Sequence, residues 1–402
     1  MNNKEYFFYF DESFHDRSIK LTNKNEVNIF RDGNSDIFIG SFIGISEDNL
    51  NAFENDFLKF ENNYKKIFTI NNEKELKGTV IGAKNFKYGI SSFNSNTTNF
   101  YNDFFDVLIN NNCIIQLDFF SKIQFLIQKI FEDSKFQYTI VCNFIYSIAK
   151  FSLNYRELGI ADKILDEKLN SSEVVEEMKS SLKIILSKIE NIPRKRGEKL
   201  AIQQMIGVLN NVNIINKYNK IKWDYSPIFD GFNKFLKSCN IKASDINLNI
   251  DEEKNIFNTA KNINEFRSLK SCDSKEVLGV RAADILSNLL GRLIFSIQDT
   301  LLEKFEGEVK KEQVLIPKRW FDLKKEQFDL ICKINTLFNM QSEGYIYRSI
   351  YSDYMFVLIQ YITYISKFDN YINYKKSTIE DISKEINNNI KIDLFWELNK
   401  SN

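Results

Sequence analysis

Asp11-Glu12-Ser13 follows directly on an all-aromatic run, Tyr6-Phe7-Phe8-Tyr9-Phe10. A buried strand that stops on an acidic pair aims carboxylates at the rim of a sheet. Side chains alternate along a strand, so Asp11 and Glu12 point to opposite faces, with Asp11 the candidate ligand and Glu12 flanking it. Far along the chain, Arg281-Ala282-Ala283-Asp284 opens an apolar helix with another lone acid. Ser287, Asn288 and Gly291 lie one or two turns on, a small polar stripe beside a long apolar one. Carboxylates held on rigid elements at both ends of a fold are the hard oxygen donors that Mg²⁺ or Mn²⁺ takes in phosphodiester chemistry. Three more acid-bearing segments lie between them: Glu75-Leu76-Lys77-Gly78, Asp251-Glu252-Glu253 and Asp273-Ser274-Lys275. Each acid also has a plainer reading, since Asp favours turns and acids favour helix starts.

Other chemistries are closed by what the chain lacks. It has one histidine, His15, and five cysteines far apart with no Cys-x-x-Cys pair, which excludes a zinc site and a disulfide framework. There is no glycine-rich phosphate loop followed by Lys-Ser/Thr and no Gly-x-Ser-x-Gly elbow. The 54 basic and 54 acidic residues balance, so any polyanion-binding surface has to be locally basic. Local cations stand at Arg194-Lys195-Arg196 and at Lys318-Arg319-Trp320, where an aromatic could stack on a base. No run of 18 apolar residues is present, so no membrane span is expected, the N-terminus shows no basic-then-apolar signal peptide, and the lack of a disulfide framework makes the cytoplasm the expected compartment.

The elements that must position these acids follow from the apolar pattern. Residues 5–10 and 36–45 read as strands, with a weak one at 27–30. Leu50, Phe53, Phe57, Phe60, Tyr64 and Ile67 recur at spacings of three and four, which predicts a helix over 46–68. A helix over 97–109 and a strand over 113–120 come next. Residues 121–236 are mainly helical. Strands at 246–250 and 266–271 and a helix over 282–297 complete the pattern. The tail from 301 is mostly helical and aromatic between 345 and 374, which suits a packing or dimer face. The expected architecture is α/β: a ribonuclease H-like core of 1–120 and 240–300, a mixed sheet flanked by helices. A helical insertion occupies 121–239 and a helical C-terminal extension 301–402.

In order, Asp11-Glu12-Ser13, Glu75-Leu76-Lys77-Gly78, an Asp after a short strand (Asp251), Asp273-Ser274-Lys275 and Gly279-Val280-Arg281-Ala282-Ala283-Asp284 resemble the motifs of domain-of-unknown-function family thirty-eight hundred. The resemblance covers roughly residues 4–297. It implies a ribonuclease H-like fold and a metal-dependent nuclease, in a family common in mobile elements and defence islands. It departs at Phe14, where the family carries Gly, and at Arg281, where it carries Gln.

The expectation is a Mg²⁺- or Mn²⁺-dependent nuclease acting on DNA or RNA. Asp11, Glu75, Asp251 and Asp284 would hold metal, with Asp273 as a further ligand, and Lys77 or Arg281 would contact phosphate. The other reading is a non-catalytic ribonuclease H-like binding or assembly protein, a subunit of a defence complex. It would engage a partner or a second copy through the C-terminal extension.

Overall fold

The aromatic run becomes the central part of the first strand, and Phe8, Tyr9 and Phe10 are buried from both sides. The computed structural model describes residues 4–14, 18–30, 34–131, 138–211, 221–222, 225–263, 265–302, 315–339, 346–348 and 351–399. The strands are β1 (Tyr6–Ser13), β2 (Ser18–Ile19), β3 (Ile37–Ser46), β4 (Lys87–Ile90), β5 (Ile114–Ser121), β6 (Ile221–Lys222), β7 (Ile246–Asp251), β8 (Ser268–Cys272) and β9 (Ile346–Arg348). Six of them build one mixed sheet in the order β8-β7-β1-β3-β5-β9. β3 runs antiparallel to both neighbours, while β1–β7, β7–β8 and β5–β9 pair parallel. Strands covered on both faces read as unbroken apolar runs, which accounts for the lack of alternation in β1 and β3. The fold is therefore mixed α/β, with helices on both faces of the sheet.

One face carries Phe8, Phe10, Phe38 and Phe42. Helices α1 (Glu47–Ile67) and α2 (Ser95–Asn110) follow β3. The intervening helical stretch holds α3 (Lys122–Phe131), α4 (Tyr138–Asn154), α5 (Ile160–Leu165), α6 (Ser171–Ile189), α7 (Arg196–Leu209) and α8 (Ser226–Ser238). The last of these closes the first face: the Phe232 ring stacks on Phe42 at 4.2 Å and meets Phe8 edge-on at 5.0 Å. After α9 (Lys254–Ile263) comes α10 (Leu278–Leu302), which packs on the opposite face along β1 and β3. On that side Phe60 of α1 meets Phe100 and Phe104 of α2 at 5.2 and 5.9 Å.

The tail adds α11 (Lys325–Asn339), α12 (Asp353–Ile365), α13 (Tyr371–Tyr374) and α14 (Ile379–Asn399), and it also supplies the edge strand β9. Its aromatics turn inward: Tyr351, Tyr354, Tyr361 and Tyr374 are buried, and the Tyr361 hydroxyl donates to the Trp320 carbonyl at 2.8 Å. Trp320 itself is buried, so it offers no platform for a base. Residues 27–30 differ from the expected strand. The chain reverses tightly through Asn25, which sits at φ 57°, so pairing lasts for one bridge, Leu21 to Val27, before a 3-10 turn at Asn28–Phe30. Among the described residues no helix is long and apolar enough to cross a membrane.

β5 carries one acid in an apolar setting. Asp118 pairs with Gly40 of β3 and is fully buried, and neither carboxylate oxygen has a hydrogen-bond partner. Burial pushes its carboxyl well above the usual range, opposed only by Gln116, two residues back on the same face. The native state therefore holds this proton to higher pH than the unfolded chain does. Its contribution to stability is full at acid pH and is lost as pH climbs from about 4 towards the folded value. Asp118→Asn is expected to flatten that decline and raise the urea midpoint at neutral pH. Parallel midpoint-versus-pH curves for the two proteins would contradict the buried neutral acid.

Candidate functional site

Two glycines let α10 lie directly on β1. A Cβ at Gly279 would fall 2.3 Å from the Tyr9 ring, and one at Gly291 would fall 2.9 Å from the Phe14 ring. The helix thus runs along the strand from Tyr9 to the Ser13–Phe14 end. Asp284 lies five residues past Gly279, about 7.5 Å at the helical rise. Asp11 lies two residues past Tyr9, about 6.6 Å at the strand rise. The two acids come level across the helix–strand contact. Asp251 ends β7, whose Ile250 pairs with Phe10, so it stands beside Asp11 on the neighbouring parallel strand, about 4.8 Å across.

The loop after α1 reaches the same place. The Gly78 N–H donates to Asp284 Oδ2 at 2.6 Å. No side chain fits there, because a Cβ on Gly78 would fall 2.6 Å from Asn288 Cβ. Glu75 Oε2 accepts from the Ser274 hydroxyl at 2.7 Å, and Glu75 Oε1 pairs with Lys77 at 2.8 Å. Asp11 Oδ1 accepts the Glu12 N–H at 2.8 Å.

The acids act on one another. Burial pushes the Asp11 carboxyl well above the ordinary range, and the charges of Glu12, Asp284 and Asp251 push it further, against the Glu12 N–H. Asp284 is raised by burial and by Glu75 and Asp251, with the Gly78 N–H and Lys77 pulling the other way. Burial also lifts Glu75, but the Lys77 ammonium and the Ser274 hydroxyl outweigh it, and the carboxyl ends below its ordinary value. Lys77 is raised by its bond to Glu75 and by the charges of Asp284 and Asp251. Asp11, Glu75, Asp251, Asp284 and Lys77 therefore share one electrostatic neighbourhood. Among the described residues, no three acidic, histidine or cysteine side chains gather closely enough to hold a single ion.

Glu61 of α1 ties this neighbourhood together. Its Oε2 accepts from Arg281 Nη2 at 2.9 Å, and its Oε1 accepts the Leu76 N–H at 3.1 Å and pairs with Lys65 at 3.2 Å. Arg281 Nη1 donates to the carbonyls of Ser274 and Lys275 at 2.7 and 2.8 Å. Glu61 and Arg281 are both buried. Arg281 is consequently a core residue facing away from solvent, whereas Lys77 stays beside the carboxylates. Sequence reasoning missed Glu61, though a signal exists: it falls four residues after Phe57 and three before Tyr64, inside the apolar stripe of α1.

The remaining expected residues are spread more widely. Asp273 closes its own turn, accepting the Lys275 N–H at 2.9 Å. His15 lies outside the described residues. Lys195 pairs with Glu198, so that basic loop is partly neutralised locally. Arg319 stacks on Tyr88, 5.0 Å from the ring centre, and Lys318 pairs with Glu380 at 2.8 Å. Phe14 adopts φ 59°, a left-handed backbone unusual for a bulky residue, and its ring stacks on Phe295 at 5.8 Å.

No protein-family model, no curated protein and no solved structure matches this chain.

Removing one partner of the Glu61–Arg281 pair leaves the other charge buried and unpaired. Glu61→Ala should cost about 3–5 kcal/mol in urea denaturation, and Glu61→Gln clearly less. A near-zero loss for Glu61→Ala would show that the pair is not holding these segments. In the same assay, Gly78→Ala should cost about 1–3 kcal/mol, because its methyl has to displace Asn288.

Proposed function

We propose that this chain is a Mg²⁺- or Mn²⁺-dependent nuclease that hydrolyses phosphodiester bonds of DNA or RNA on a ribonuclease H-like scaffold. The observation that carries the reading is geometric: Asp251 ends the strand beside Asp11, and Asp284 on the helix packed against β1 accepts the Gly78 N–H from the loop that carries Glu75. In a ribonuclease H-like core the first strand, a loop, a later strand end and a helix packed on the sheet each offer one acid. The elements that would take those parts here are β1, the Glu75 loop, β7 and α10. The resemblance of these motifs, in their order, to domain-of-unknown-function family thirty-eight hundred supports the same assignment, and with it a role in defence against phage or mobile elements.

The donor chemistry fits a hard divalent ion, since all four groups are carboxylates whose repulsion a cation relieves. As they stand, Asp11, Asp251 and Asp284 are not close enough to share one ion, so they would hold it only by drawing together, and Glu75 would join them by giving up Lys77. The chemistry supplied by such an ion is polarisation of a phosphoryl oxygen and a lowered pKa for water. The chain's own residues do the rest. The Gly78 N–H fixes the Asp284 carboxylate, and the Lys77 ammonium reaches a non-bridging phosphate oxygen. The Glu61–Arg281 pair keeps both in register with α10.

A second reading has an observation of its own. Glu75 is already satisfied by Lys77 and Ser274, and among the described residues no three acids close on one point. That arrangement suits a ribonuclease H-like binding or assembly subunit that cleaves nothing. Two measurements separate the readings. Calorimetry should detect Mn²⁺ binding that Asp11→Asn combined with Asp284→Asn abolishes. Labelled single- and double-stranded DNA and RNA should be cut with Mn²⁺ and left intact with EDTA. Absence of both Mn²⁺ binding and cleavage would reject the nuclease in favour of the assembly subunit.

A further inference from the structure

A cleft of about 550 Å³ opens next to Glu75. One wall is the 70–80 segment, with Lys74, Lys77 and Thr79, and the other is the turn that carries Lys275. These walls lie about two hundred residues apart in sequence and are joined by the Ser274–Glu75 hydrogen bond and by Arg281, which holds the Ser274 and Lys275 carbonyls. Lys77 is engaged by Glu75, whereas Lys74 and Lys275 are exposed, and among the described residues neither ammonium is paired with a carboxylate. Three lysines and two glutamates, Glu73 and Glu75, thus line the groove, and Glu75 and Lys77 link it to Asp284. No aromatic side chain among the described residues lines it, so it lacks the stacking platform that base recognition uses. Its volume is that of a small-ligand pocket, room for a short stretch of one strand.

We propose that this cleft is the track for a single polynucleotide strand, gripped through its phosphates by Lys74 and Lys275 and handed to the carboxylates past Lys77. The proposal rests on the nuclease reading of the neighbouring acids and deepens it. Recognition is of the sugar–phosphate backbone without regard to base, and single-stranded substrate is preferred. Ammonium groups act as point charges on phosphate, so binding falls steeply with salt.

Fluorescence anisotropy with 5′-labelled oligothymidylate in EDTA tests this without cleavage. Lys74→Gln combined with Lys275→Gln should weaken binding at low salt about tenfold or more. The slope of log affinity against log salt should become shallower by about 1.4, two contacts at about 0.7 each. Calorimetric Mn²⁺ binding should be unchanged in the variant. Equal affinity and slope in both proteins, failure of a Mn²⁺-binding wild type to bind the oligonucleotide, or tighter binding of the matching duplex would overturn the track and leave the nuclease reading standing. A wild type that binds neither Mn²⁺ nor oligonucleotide would overturn both.

Discussion

The buried pair of Glu61 and Arg281 is the constraint on which the site depends. One carboxylate reaches the backbone of the Glu75 loop through Leu76, and one guanidinium reaches the turn after β8 through two carbonyls. Arg281 also belongs to α10, so α1, α10 and two loops are fixed at a single point. A neutral residue at either position could fill the space but could not bridge these segments. Burying two charges is expensive, and the cost is offset only where the remaining lone pairs and protons find partners. Glu61 meets that condition with three contacts.

The acids gathered around this point are placed by close approach. Small residues at 279 and 291 bring α10 onto β1, and the missing side chain at 78 brings the loop onto α10. Rise per residue along helix and strand then sets Asp284 level with Asp11. The result is a strained electrostatic state in which Asp11 and Asp284 hold protons more tightly than free carboxyls do. Glu75 escapes that fate because Lys77 and Ser274 satisfy it. The same Lys77 bond leaves the outer lysines free to define the adjoining cleft.

The elements were legible where periodicity was strong. The Phe53–Phe57–Phe60–Tyr64 stripe predicts a helix over 46–68, and α1 spans Glu47–Ile67. Continuous apolar runs likewise mark β1, β3 and β5. What the pattern hid were polar groups inside apolar elements, because a spacing argument treats a charge on an apolar face as noise. Glu61 in the α1 stripe and Asp118 among the Ile and Phe residues of β5 are both of this kind. The inward direction of Arg281 depends on Glu61, more than two hundred residues away in sequence, so no local pattern shows it. Phe14 marks another limit. It takes a left-handed backbone, unfavourable for a bulky residue by about 1–2 kcal/mol, with its ring stacked on Phe295. The α8 layer and the edge strand β9 come from segments whose composition reads as peripheral, and only long-range packing assigns them to the sheet.

Convergence of the carboxylates around the Gly78 amide is most directly tested by Mn²⁺ titration of protein labelled with ¹⁵N at its 14 glycines. Paramagnetic broadening falls off steeply with distance, so the ion reports its own location. With the carboxylates gathered at that amide, Gly78 broadens first, and Gly159, Gly197 and Gly207 of the helical stretch are unaffected at the same Mn²⁺ concentration. Early broadening at those distant glycines, or none at Gly78 at saturating Mn²⁺, would contradict it.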